Sequence, residues 1–147
     1  MPYGWGMNNG MRKKVREVLR RGKARIADPL NWIQGNSAED AGGNDVTEEA
    51  GSMEEHGPAV RFCAAGALDA DRAGSAVIGR AQAALDRAAL ALDPALAAVH
   101  GSAAAAYNDA RTHAEVATLF DVALAIMGAS APAHDCDWCR SQRAAHA

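Results

Sequence analysis

The sequence predicts an all-α single domain of about five helices. Three observations carry that prediction. First, alanine is abundant while aromatic residues make up only 5% of the 147 residues. Alanine is the best helix former and is depleted in strands, so a core of small aliphatic side chains favours close-packed helices. Second, apolar residues recur at helical spacing in several separate stretches. Third, one stretch carries a full set of helix signals. Thr112 is a good N-cap with Glu115 three residues on, which is the capping-box spacing. Val116, Leu119, Phe120, Ala123, Ile126 and Met127 then form one apolar stripe, and Gly128 is a suitable stop.

The remaining elements follow in order. Residues 1–10 are rich in glycine and asparagine and are expected to be a flexible arm. The first helix is expected from Met11 to about Ala27, with Met11, Val15, Val18, Leu19 and Ile26 on one face. Asp28-Pro29 ends it, because the residue before proline avoids the helical region. Leu30, Trp32 and Ile33 form a short apolar patch. Residues 36–57 read as a long polar loop with a weak hairpin around Gly42-Gly43. Pro58 suits a first helical position, so a helix is expected over 59–70. Ser75 to Leu92 is a third helix. Pro94 opens a fourth that runs to Tyr107 with a kink at Gly101-Ser102. The fifth, over 112–127, is expected at the centre with the 59–70 helix packed on it. Residues 129–147 form a small polar tail expected to be flexible, so the helical domain spans 11–128.

Composition excludes some functions. The formal net charge of −3 implies no partner by itself. Three cysteines without framework spacing point to a reducing, cytoplasmic setting. Residues 1–25 lack the apolar core of a signal peptide, and no run approaches the ~20 apolar residues of a membrane helix. No phosphate loop, dinucleotide fingerprint, His-Glu-x-x-His pair or Gly-x-Ser-x-Gly elbow occurs.

The chain resembles a family of small uncharacterised proteins from high-GC bacteria and their phages, catalogued as a domain of unknown function. Three blocks carry the resemblance: Trp32-Ile33-Gln34-Gly35, then Ala59-Val60-Arg61-Phe62-Cys63-Ala64-Ala65-Gly66-Ala67-Leu68, then Asn108-Asp109 with Thr112-His113-Ala114-Glu115-Val116. It covers roughly residues 12–127. The segment between the first two blocks is here unusually acidic and glycine-rich. The resemblance implies a helical fold and a bacterial or phage cytoplasmic setting. It implies no activity.

Chemistry has three candidate places. Cys63 with His113, Asn108 or Asp109, and Gln34 supplies the residue types of a cysteine hydrolase or transferase: thiol, proton acceptor, orienting group and oxyanion donor. Against this, Cys63 is expected beyond the first helical turn, flanked by packing residues, where cysteine behaves as a small hydrophobe. Arg61 and Asp109 are expected to pair and fix helix register, so Asp109→Ala should destabilise more than Thr112→Ala and Arg61→Ala should resemble it. Arg61, Asp109, Thr112 and Trp32 are thus the expected structural or interaction residues. In the tail, Cys136 and Cys139 with His134 or His146 offer half or more of a zinc site, the one cofactor considered. No catalytic or metal set is favoured. The basic first helix, Arg12 to Arg25, offers a nucleic-acid surface or else a solvated face. A non-enzymatic interaction or regulatory role with an unidentified protein partner is the favoured reading. No membrane partner is expected.

Overall fold

The structure is a computed structural model that describes residues 7–46 and 57–128. Five α-helices and one two-stranded ribbon make it up: α1 Asn9–Arg25, β1 Ala38–Glu39, β2 Arg61–Phe62, α2 Ala64–Asp69, α3 Ser75–Leu92, α4 Ala103–Ala110 and α5 His113–Ile126. The all-α fold class therefore holds.

The α3 and α5 helices share the largest packing contact, α1 packs on both, and α4 packs on α3. The α5 helix is central: Val116, Leu119, Phe120 and Val122 are fully buried. Small residues let the helices approach closely. Ala81, Ala84, Leu85, Ala88 and Ala89 form the inward side of α3. On α1, Gly22 lies under Leu68 and Phe120, and a Cβ there would sit 2.6 Å from the Leu68 Cδ2.

Several boundaries differ from expectation. The α1 helix begins at Asn9, because the Asn8 side chain accepts from the Met11 N–H and caps it. Pro58 opens no helix. The chain there stays extended, Arg61–Phe62 pairs antiparallel with Ala38–Glu39, and Ile33 N–H donates to Phe62 C=O at 3.1 Å. The α2 helix therefore starts at Ala64, with Cys63 as its N-cap. It rests mainly on α1, α3 and α4, with less contact to α5 than the sequence suggests. The expected fourth helix splits into a 3₁₀ segment, Pro94–Ala98, and α4, which Ser102 caps by accepting from Ala105 N–H. The hairpin at Gly42-Gly43 is present: Gly43 has φ +85° and Val46 N–H reaches Ala38 C=O. Asp40 holds it, accepting from Gly42 N–H, Asn44 N–H and the Asn44 amide. Those bonds, the Asn44 side chain first, lower the Asp40 pKa.

Candidate functional site

The three sequence blocks converge on one residue, Asn108. It lies within α4 and is fully buried. A buried amide must place both its donors and its acceptor. The Asn108 Oδ1 accepts from Trp32 Nε1 at 2.7 Å and from Ala64 N–H at 3.0 Å. Its Nδ2 donates to Ile33 C=O at 2.9 Å and to Asp109 Oδ1 at 3.3 Å. One side chain thus ties the Trp-Ile-Gln-Gly block to the first turn of α2.

Gln34 completes the same knot. Its Nε2 donates to the carbonyls of Asn108, Asp109 and Arg111, the orphan acceptors at the end of α4. Asp109 accepts from Gly35 N–H at 2.9 Å. Gly35 has φ +89°, a conformation that favours glycine. Gln34 therefore points at backbone carbonyls and offers no oxyanion donor.

The expected Arg61–Asp109 pair does not form. Arg61 faces Glu39 across the ribbon, Nε to Oε2 at 3.5 Å, and donates to Asp40 C=O. The strand pairing places Glu39 opposite Arg61, whereas Asp109 is exposed at the far end of α4.

Cys63 and His113 each have other partners. The Cys63 sulfur accepts from Gly66 N–H at 3.3 Å, as the cap of α2. The thiol is buried, and that desolvation pushes its pKa up, away from a nucleophile's range. So the position at a helix start, which the sequence reading placed too early, does not activate it. His113 Nε2 lies 2.6 Å from Ile26 C=O. A carbonyl only accepts, so this nitrogen carries the proton and joins the start of α5 to the end of α1. The ring meets Trp32 edge-on at 5.5 Å. No hydrogen bond links Cys63 to His113 among the described residues.

Thr112 caps α5 in a full capping box: its Oγ1 accepts from Glu115 N–H, and Glu115 Oε1 accepts from Thr112 N–H. The Thr112 backbone bond is the main reason the Glu115 carboxyl titrates low. Arg111 bridges Glu115 and Asp93, both at 3.1 Å, and lies over the Tyr107 ring.

Two further buried acids pair with α1. Asp71 receives Arg21 at 2.9 Å, Arg25 at 3.2 Å and Ala73 N–H at 3.0 Å. The Arg21 bond holds its pKa at about 2. Asp121, on α5, receives Lys23 at 2.7 Å. These acids anchor the C-terminal half of α1. The excess of cations on α1 is the sequence signal that called for them.

A cleft of about 250 Å³ lies between α2, α3 and α4, lined by Ser37, Asp69, Gln82, Asp86 and Ser102. Its polar groups are paired: Asp86 accepts from Ser102 Oγ and Ala104 N–H, and Gln82 donates to Asp69. Neither Cys63 nor His113 lines it. Among the described residues no cluster of His, Cys, Asp or Glu could hold a metal ion. The zinc candidates His134, Cys136, Cys139 and His146 lie outside the described residues. No helix among the described residues is long and apolar enough to cross a membrane.

A known family of unknown function (DUF6197) matches residues 11–126. The chain belongs to that family. All three blocks and the Asn108 knot fall inside the matched span. No curated protein and no solved structure gives a significant match.

Proposed function

We propose that this protein is a non-enzymatic interaction or regulatory module of a bacterial or phage cytoplasm. One observation carries the reading. Every polar side chain of the family blocks that could serve catalysis is committed to holding backbone: Gln34 on three carbonyls, Asn108 on Ala64 and Ile33, His113 on Ile26, and the Cys63 sulfur on Gly66. A catalytic pair needs a free nucleophile beside a free base. Here the thiol is buried with a raised pKa, and among the described residues no hydrogen bond joins it to His113, whose Nε2–H is held by the Ile26 carbonyl.

The test is alkylation of Cys63 by iodoacetamide in a Cys136→Ser, Cys139→Ser background. We expect labelling only through opening of the domain, so that its rate rises steeply with urea. Rapid labelling of the native protein at neutral pH would favour the cysteine-hydrolase reading instead. In parallel, partner capture from the host should be unchanged in Cys63→Ser.

A further inference from the structure

The α1 helix divides its cations into two groups. Arg21, Lys23 and Arg25, in its C-terminal half, are paired with Asp71 and Asp121. Arg16 donates to Met127 C=O. Arg12, Lys13, Lys14 and Arg20 have no hydrogen-bond or charge partner among the described residues. Glu17 is the one acid between them.

Their placement also opposes the helix. The N-terminus of a helix carries partial positive charge and favours acids. The first turn of α1 has none, and Arg12 and Lys13 follow at once. The Nε of Arg12 is shielded from solvent without an acceptor, in a protein whose other buried side-chain donors and acceptors are satisfied among the described residues. Folding alone gives no reason for this arrangement. Local conflicts of this kind mark functional surfaces.

We propose that the N-terminal half of α1 binds the phosphate backbone of duplex nucleic acid through Arg12, Lys13, Lys14 and Arg20. The assignment rests on the interaction-module reading above and names its partner. Lys13, Lys14 and Arg20 are exposed, and Arg12 is half-buried at the flank. At 1.5 Å per residue they span about 12 Å along the axis. At 100° per residue, Arg12 and Lys14 fall on opposite flanks of the crest that Lys13 and Arg20 occupy. Charges on both flanks of a rod suit the two lines of phosphate that border a groove. A single acidic peptide would leave one flank unanswered. A lipid surface is disfavoured because Val15, Val18 and Leu19 are fully buried in the core, leaving α1 no apolar face to insert.

The experiment is fluorescence anisotropy of the full chain with a labelled mixed-sequence duplex of about 20 base pairs, titrated across salt. Four phosphate contacts give a slope near −3.6, so affinity should fall roughly 100-fold between about 50 and 200 mM salt. Lys13→Ala, Lys14→Ala and Arg20→Ala should each lower the slope by about one. The triple variant Lys13→Glu, Lys14→Glu, Arg20→Glu should keep its helical circular dichroism and lose binding, while Arg72→Glu, an exposed arginine that is not part of α1, should bind as the wild type does. Absence of duplex binding at low salt would overturn the proposal, as would a triple variant that still binds. Preferential binding to phosphatidylserine vesicles or to polyglutamate would overturn it in favour of those partners. Failure here leaves Cys63 labelling untouched, so it is distinguishable from failure of the non-enzymatic reading.

Discussion

Replacing Asn108 by alanine is the sharpest perturbation of the knot. The change removes the acceptor for Ala64 N–H and Trp32 Nε1 and the donor for Ile33 C=O. Ala64 is fully buried, so its N–H has no access to water. Trp32 and Ile33 are half-buried and can recover part of their bonding. A buried group left unpaired costs about 1–3 kcal/mol, and a small cavity adds to that. We therefore expect a loss of about 3–4 kcal/mol, a large share of the 5–15 kcal/mol typical of a domain. The melting temperature should fall on the order of 10–15 °C. Urea unfolding followed by circular dichroism measures this directly. Asn108→Asp keeps the two accepting bonds but sets a charge against Ile33 C=O and Asp109. That variant should be destabilised at neutral pH and regain stability on acidification, as its carboxyl takes up a proton. A loss below about 1 kcal/mol in Asn108→Ala would refute the reasoning, because the buried Ala64 N–H left unpaired should alone cost that much.

Other outcomes follow from the same geometry. Gly66→Ala would place a Cβ 1.8 Å from Ser37 C=O, a backbone atom that cannot swing away, so thermal unfolding should show a loss of more than about 2 kcal/mol. Asp71, held at a pKa of about 2 against an ordinary 3.8, contributes stability present above pH 3.8 and lost as the pH falls through 2. That contribution is about 2 kcal/mol, and Asp71→Asn should flatten this acid limb of the stability curve. Asp109→Ala should cost no more than Thr112→Ala, itself about 1 kcal/mol by calorimetry, since Asp109 is exposed and the capping box is intact. Arg61→Ala and Asp109→Ala should add independently in a double-mutant cycle, because no contact joins them.

Local signals made much of this fold legible. The bounds of α3, the capping box of α5 and the Gly42-Gly43 hairpin each follow from residues close together in sequence. The misread elements depend on distant partners. Pro58 is a valid helix-start signal, yet Arg61–Phe62 extends because Ala38–Glu39 and the Trp32 segment pair with it from either side. Cys63 is a rare cap, since sulfur accepts weakly, and nothing nearby marks it as one. Gly101-Ser102 suggests a kink, although serine after glycine also suits an N-cap, and the split helix uses it so. The candidate residues are legible in the sequence, but their roles are not. The residue types around Asn108 suggest an orienting group for His113, and the structure gives it a backbone-holding role instead. Asparagine is disfavoured inside a helix, so one held within α4 signals a buried amide with long-range work. Charge complementarity suggested Arg61 with Asp109, but strand register decides in favour of Glu39.

The central claim is that Asn108 locks the three family blocks into one cooperative unit. Native-state hydrogen exchange of the Trp32 indole N–H and the Ala64 amide tests it most directly. Both protons end on the same Oδ1. They should exchange slowly, with a common opening free energy near that of global unfolding, and both should lose protection together in Asn108→Ala. Fast exchange of either proton in the native protein, or opening energies that differ between the two, would contradict it.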